Sequence, residues 1–123
     1  MTDTTQRLGR RGEEHAARFL ERLGWRILER NWRTRDGEAD IIALDTECDA
    51  LVVVEVKTRS GEGYGSPLET ITYAKVRTLR HLAAGYAREK RSTARLLRVD
   101  AIGILWPYGA EPKVVHARGI EER

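Results

Sequence analysis

Residues 51–58 read LVVVEVKT, and a run like this has a place in few architectures. Side chains of an extended strand alternate between faces, so Leu51 and Val53 point one way and Val52, Val54 and Val56 the other. Both faces must then be covered, which puts the strand in the middle of a sheet with helices on either side. A chain of 123 residues has room for one such domain and one core. The expected fold is a single three-layer α/β domain over 1–123, with a central mixed β-sheet flanked by helices.

The remaining elements fit that frame. Residues 8–23 predict a helix, with Ala16, Ala17, Phe19, Leu20 and Leu23 as its apolar stripe and Gly24 as its stop. Residues 1–7 carry no such stripe and read as a flexible tail. Trp25–Arg30 is a short strand, Asp36-Gly37 a turn, Glu38–Leu44 a strand and Asp45–Asp49 a second turn. After a glycine-rich loop over 60–67, a second helix capped by Thr72 carries Val76, Leu79, Ala83 and Tyr86 on one face. Leu96–Leu105 and Val114–Ala117 read as the last two strands.

Several function classes are excluded early. No apolar stretch approaches the roughly 18 residues of a membrane span, and the N-terminus lacks the apolar core of a signal peptide. The single cysteine, Cys48, excludes an internal disulfide and a zinc site built on several thiolates. His15, His81 and His116 have no metal-ligand spacing. The motif Gly61-Glu62-Gly63-Tyr64-Gly65 lacks the spacing and the Lys-Ser/Thr of a phosphate loop. A soluble cytoplasmic domain is expected.

The formal charge of +3 conceals a segregation. Residues 1–35 carry +4, residues 36–55 carry seven acids and no base, residues 56–100 carry +6, and the last 23 balance. An acidic centre between basic segments suits a metal site within a polyanion-binding surface. It also suits acids gathered at two turns between solvated basic helices.

Strand register narrows the acids. If Glu38–Leu44 and Leu51–Thr58 form a regular hairpin with Leu44 opposite Leu51, then Ile42 faces Val53 and Asp40 faces Glu55. Directly opposed Cβ atoms lie about 4.5–5.5 Å apart. Two carboxylates that close beside a core repel one another unless a cation intervenes, and Mg²⁺, with its oxygen ligands, would serve. Lys57 shares their face. It could position a water or stabilise charge on a phosphate, or it could simply pair with Asp40 or Glu55. Glu13 borders the apolar face of the first helix, so it needs a partner, either the metal cluster or an arginine. Arg10, Arg11, Arg33, Arg35, Arg59, Lys75, Arg77 and Arg80 form the candidate phosphate surface, with Tyr64 a further candidate contact in the glycine-rich loop. Trp25 and Trp32 are either base-stacking residues or core.

The stretches GRRGEEHAARFLERLG, ILERNWRTRDGEADIIA, LVVVEVKTRSGEGYGSPLETITYAK and RVDAI resemble the YraN-like family of small bacterial proteins. That family is placed in the PD-(D/E)XK nuclease superfamily, near the archaeal Holliday junction resolvases. The resemblance implies a restriction-endonuclease-like fold and a Mg²⁺- or Mn²⁺-dependent DNA endonuclease, with branched DNA such as a Holliday junction as one implied substrate. Asp40 and Glu55 match the metal-binding carboxylates, with the carbonyl of Val56 as a third ligand. Lys57 matches the catalytic lysine, Glu13 the helix glutamate that supports the metal shell, and Lys75 a basic position beside the site. Ala39 stands where the superfamily name has proline. Asp100 matches an acidic position with no assigned role. A homodimer is expected by analogy with resolvases. The alternative is a module on the same fold that binds DNA or a recombination partner without cutting.

Overall fold

The computed structural model describes residues 2–61 and 65–122, so Tyr64 lies outside the described residues. Helix α1 spans Thr2–Arg22, strands β1, β2 and β3 span Arg26–Thr34, Gly37–Asp45 and Ala50–Arg59, and helix α2 spans Tyr73–Glu89. Strands β4 (Leu96–Leu105) and β5 (Lys113–Ala117) complete a five-stranded sheet in the order β1-β2-β3-β4-β5. Only the β3–β4 pair is parallel, joined by the α2 crossover. This is the three-layer α/β arrangement of the restriction-endonuclease-like fold, a mixed sheet with a helix on each face. Among the described residues, no helix is long and apolar enough to cross a membrane.

The two faces of β3 build two cores. Val52, Val54 and Val56 pack with Ala16, Ala17 and Leu20 of α1 and with Ile102 and Ile104 of β4. Leu51 and Val53 pack with Leu79, Leu82, Ala83 and Tyr86 of α2. Trp25 is buried in the first core, and Trp32 packs edge-on against Tyr86 at 5.1 Å in the second, so both are structural. Thr72 caps α2, its Oγ1 accepting the Lys75 N–H at 3.1 Å. At the end of α1, Gly24 adopts φ 90°, the Trp25 N–H reaches Leu20 O at 3.1 Å, and the Gly24 N–H reaches Glu21 O at 2.9 Å. That pair of bonds is the Schellman stop, which favours glycine.

Two boundaries differ from expectation. Helix α1 begins at Thr2, inside the stretch read as a tail, because its first turns are polar and show no periodicity. Strand β1 continues to Thr34 because it is an edge strand held by backbone bonds to β2 rather than by a buried stripe.

Asp100 receives a structural place. Its carboxylate is fully buried and accepts from Arg98 Nε at 2.9 Å, Arg98 Nη2 at 3.1 Å and the Gly119 N–H at 3.0 Å, and lies 2.9 Å from His116 Nε2. Arg98 Nη2 also donates to the buried Asp45 at 3.0 Å. This network ties the end of β2 to β4, β5 and the C-terminal segment, at the opposite end of the sheet from Lys57.

Candidate metal and nucleic-acid site

The hairpin register is the expected one: Leu44 faces Leu51 and Ile42 faces Val53. The β2–β3 ladder ends at Ile41 and Val54, yet both strands continue. Beyond that point β2 pairs only with β1, from Trp32–Ala39 to Thr34–Gly37, while β3 pairs only with β4. The strands therefore part into a V, and Asp40, Glu55 and Lys57 lie at its fork. The V opens at the carboxyl ends of the parallel pair, where open α/β sheets characteristically bind ligands.

The parting frees backbone groups, and Asp40 takes one of them. Its Oδ2 accepts the Val56 N–H at 2.9 Å, a bond that the β2 backbone would otherwise make. In an extended strand a residue's N–H and C=O point toward the same edge, so the Val56 carbonyl faces the same gap. Glu55 is buried, at 3% exposure. Its Oε2 lies 3.4 Å from Lys57 Nζ and 3.8 Å from Lys75 Nζ, whereas Oε1 is buried with no hydrogen-bond donor among the described residues.

Burial and the neighbouring Glu55 charge push the Asp40 carboxyl from 3.8 up to about 7, against the Val56 N–H and the Lys75 charge, which lower it. A carboxyl buried beside a second carboxylate does not ionise cheaply, so Asp40 keeps its proton up to about pH 7. A divalent cation would relieve that conflict in place of the proton. The donor set fits a hard ion such as Mg²⁺ or Mn²⁺: two carboxylates, one with an orphaned oxygen, and a carbonyl, all oxygen. Among the described residues, no group of three His, Cys, Asp or Glu side chains gathers to hold a metal, so the carboxylate set is two.

Glu13 stands apart from that pair. Gly12 lets α1 pass against β3 so closely that an added Cβ would lie 1.8 Å from Thr58 Oγ1, and Glu13 follows it in the helix. The Glu13 carboxylate accepts from Asn31 Nδ2 at 3.0 Å. Its pKa is raised, by burial first and also by the charge of Asp40, while the Asn31 bond opposes the shift. The structure thus brings Glu13 into electrostatic range of Asp40 and gives it Asn31 as its direct partner. Asn31 escaped the sequence reading. Its positive φ of 53°, a conformation asparagine tolerates, is the only signal it offers.

The basic residues divide. Lys75 joins the site. Arg10, Arg35 and Arg77 are exposed, and Arg33 is exposed beside Glu38 at 3.5 Å. Arg59 donates to Thr58 O at 3.0 Å and to Thr70 Oγ1 at 3.4 Å, fastening the turn before α2. Arg11 stacks its guanidinium over the Trp106 ring at 4.2 Å. Arg80 is engaged with Leu97 O and Glu121, both at 3.2 Å, and ties α2 to β4 and the C-terminal turn.

Residues 12–104 match the uncharacterised protein family UPF0102. A UPF0102 protein of Clavibacter michiganensis is 48% identical over 109 residues, covering 89% of this chain and 91% of its own length. One from Renibacterium salmoninarum is 48% identical over 113 residues, covering 92% of this chain and 94% of its own. One from Rhodococcus opacus is 46% identical over 111 residues, covering 90% and 92%. The chain belongs to the UPF0102, or YraN-like, family.

Proposed function

We propose that the protein is a divalent-metal-dependent DNA endonuclease of the PD-(D/E)XK kind, acting on branched DNA such as a Holliday junction. The observation that carries this is the buried Asp40–Glu55 pair at the parting of β2 and β3, with an orphaned Glu55 Oε1 and two ammonium groups alongside. A structural ion pair would not need a second carboxylate forced against the first. Asp40, Glu55 and the Val56 carbonyl would hold the metal, which when bound supplies positive charge beside the scissile phosphate and acidifies a water.

The protein's own groups do the rest. Lys57 Nζ, 31% exposed at its side chain and fixed by Glu55 Oε2, can hold a water in line with a phosphorus lodged at the fork. Lys75 can neutralise a non-bridging phosphate oxygen as negative charge builds there. Glu13, with its raised pKa, can receive a proton from the water shell around Asp40. The P–O3′ bond breaks as the water oxygen attacks, leaving a 5′-phosphate and a 3′-alkoxide that solvent water at the open fork protonates to the 3′-hydroxyl. Symmetric cutting of a four-way junction would use two copies of the chain.

The test incubates linear, flap and four-way-junction DNA with the full chain in Mg²⁺ or Mn²⁺, beside Asp40→Asn and Lys57→Ala. Metal-dependent cleavage lost in both variants is expected. Cleavage that survives both would remove the site from the account, and junction binding without cutting in either metal would leave a binding module.

A further inference from the structure

We infer that a groove beside α1, on the opposite face of the sheet from Lys57, receives an unpaired strand of the DNA that the nuclease site cuts. Arg7, Leu8, Arg11, Ser60, Trp106 and Tyr108 line a cavity of about 600 Å³, within the range of ligand pockets. Among the described residues none that lines it is acidic, so its charge complements a polyanion. Tyr108 is fully exposed at the rim of the cavity, so its ring face is open to a ligand. Trp106 is half-buried, with Arg11 over its ring at 4.2 Å and His15 against it at 5.2 Å, so it is held rigid.

An open aromatic ring beside arginines is a pattern that grips single strands: a base stacks on Tyr108, while phosphates meet the Arg7 guanidinium and the one that Arg11 holds over Trp106. A duplex keeps its base faces stacked inside, so it can offer Tyr108 no face except at an end. The chemistry therefore selects unpaired bases.

The groove also lies on the path of a bound strand. The Trp106 N–H donates to Arg59 O at 2.7 Å, which extends the β3–β4 ladder beyond the Arg59–Leu105 pair. Trp106 is thus three residues along and one strand across from Lys57, about 11 Å between backbones. A strand leaving the fork around the ends of β3 and β4 therefore has a short span of a few unpaired nucleotides to cover before it meets the groove on the other face. The inference rests on the nuclease proposal for its substrate, but the binding can be measured without cutting.

Fluorescence anisotropy of labelled dT20 in EDTA, with a blunt duplex of equal length as comparison, tests it on the full chain, Tyr108→Ala, Tyr108→Phe and Arg7→Ala. Tyr108→Ala should weaken dT20 binding about tenfold and lower the ratio of single-strand to duplex affinity, with Tyr108→Phe retaining both. Arg7→Ala should weaken dT20 binding and flatten its salt dependence. A chain that fails to bind dT20, or a Tyr108→Ala variant that binds it within about twofold of wild type, overturns the groove. Tyr108-dependent binding by a protein that cuts nothing in Mg²⁺ or Mn²⁺ would sink the nuclease proposal and keep the groove. Asp40-dependent cutting with no effect of Tyr108 on dT20 binding would do the reverse.

Discussion

Replacing Asp40 by asparagine should stabilise the metal-free protein, increasingly as pH rises from about 4 to about 7 and by the full amount above that. The carboxyl is pushed up from 3.8 to about 7 by burial and by Glu55. The folded state therefore binds its proton more tightly than the unfolded chain does. Stability falls as pH rises through this window, and the whole cost of ionising Asp40 is present above pH 7. A shift of about three units at 1.36 kcal/mol each sets a ceiling of roughly 4 kcal/mol. Solvent reaches the half-buried Asp40 and relaxes part of that repulsion, which leaves about 2 kcal/mol. Asparagine keeps an oxygen for the Val56 N–H and carries no charge. In EDTA at pH 8, Asp40→Asn should melt about 6–10 °C above wild type, and the gap should close by about pH 4. Thermal scans across that range read the effect directly. A variant less stable than wild type at pH 8, or a difference that does not change with pH, would refute the idea that the two carboxylates are forced together.

Other substitutions test the surroundings. Mg²⁺ should raise the melting temperature of wild type but not of Asp40→Asn, and more at pH 8 than at pH 6, because the ion competes with the proton on Asp40. Lys57→Ala should fold normally and lose at least about 100-fold in single-turnover cleavage, with Lys57→Arg failing to restore it because a guanidinium fork cannot reproduce a point charge. Gly12→Ala should cost about 1–3 kcal/mol in urea unfolding, since its Cβ would meet Thr58 Oγ1 at 1.8 Å and Thr58 Cβ at 2.9 Å. Arg98→Met should cost about 3–5 kcal/mol at pH 7 by leaving two buried carboxylates without their cation. Asp45 and Asp100 are held below the ordinary carboxylate range despite their burial, chiefly by Arg98 for Asp45 and by His116 and Arg98 for Asp100. The stability they contribute is therefore present above about pH 4 and lost as pH falls below it, and an acid titration of wild type should show that loss.

The centre of the fold was legible because β3 is apolar on both faces, and one hairpin register satisfies its neighbours. That register alone set Asp40 opposite Glu55. The parting of β2 from β3 was not legible, since it depends on β1 and β4 claiming the two strands separately after Ile41 and Val54. Nor was the start of α1, where polar turns follow the helix without any stripe to mark it. Asp100 could be given no role from the sequence because a buried acid on a strand has the same appearance whether it binds metal or an arginine. Its partners Arg98, His116 and Gly119 meet it only through β4, β5 and the C-terminal segment. Trp106 shows the converse. It follows a strand as an ordinary apolar residue would, and only the approach of Arg11 from α1 marks it out.

The proposed phosphodiesterase centre of Asp40, Glu55 and Lys57 stands or falls on metal-dependent cutting. Single-turnover incubation of a 3′-labelled four-way junction in Mn²⁺, with wild type and Asp40→Asn side by side, is the measurement that decides. Wild type should cleave to products bearing 5′-phosphates, with cleavage abolished by EDTA and by the substitution. Equal cleavage by both proteins, or an intact junction with wild type bound to it, would contradict the proposed centre.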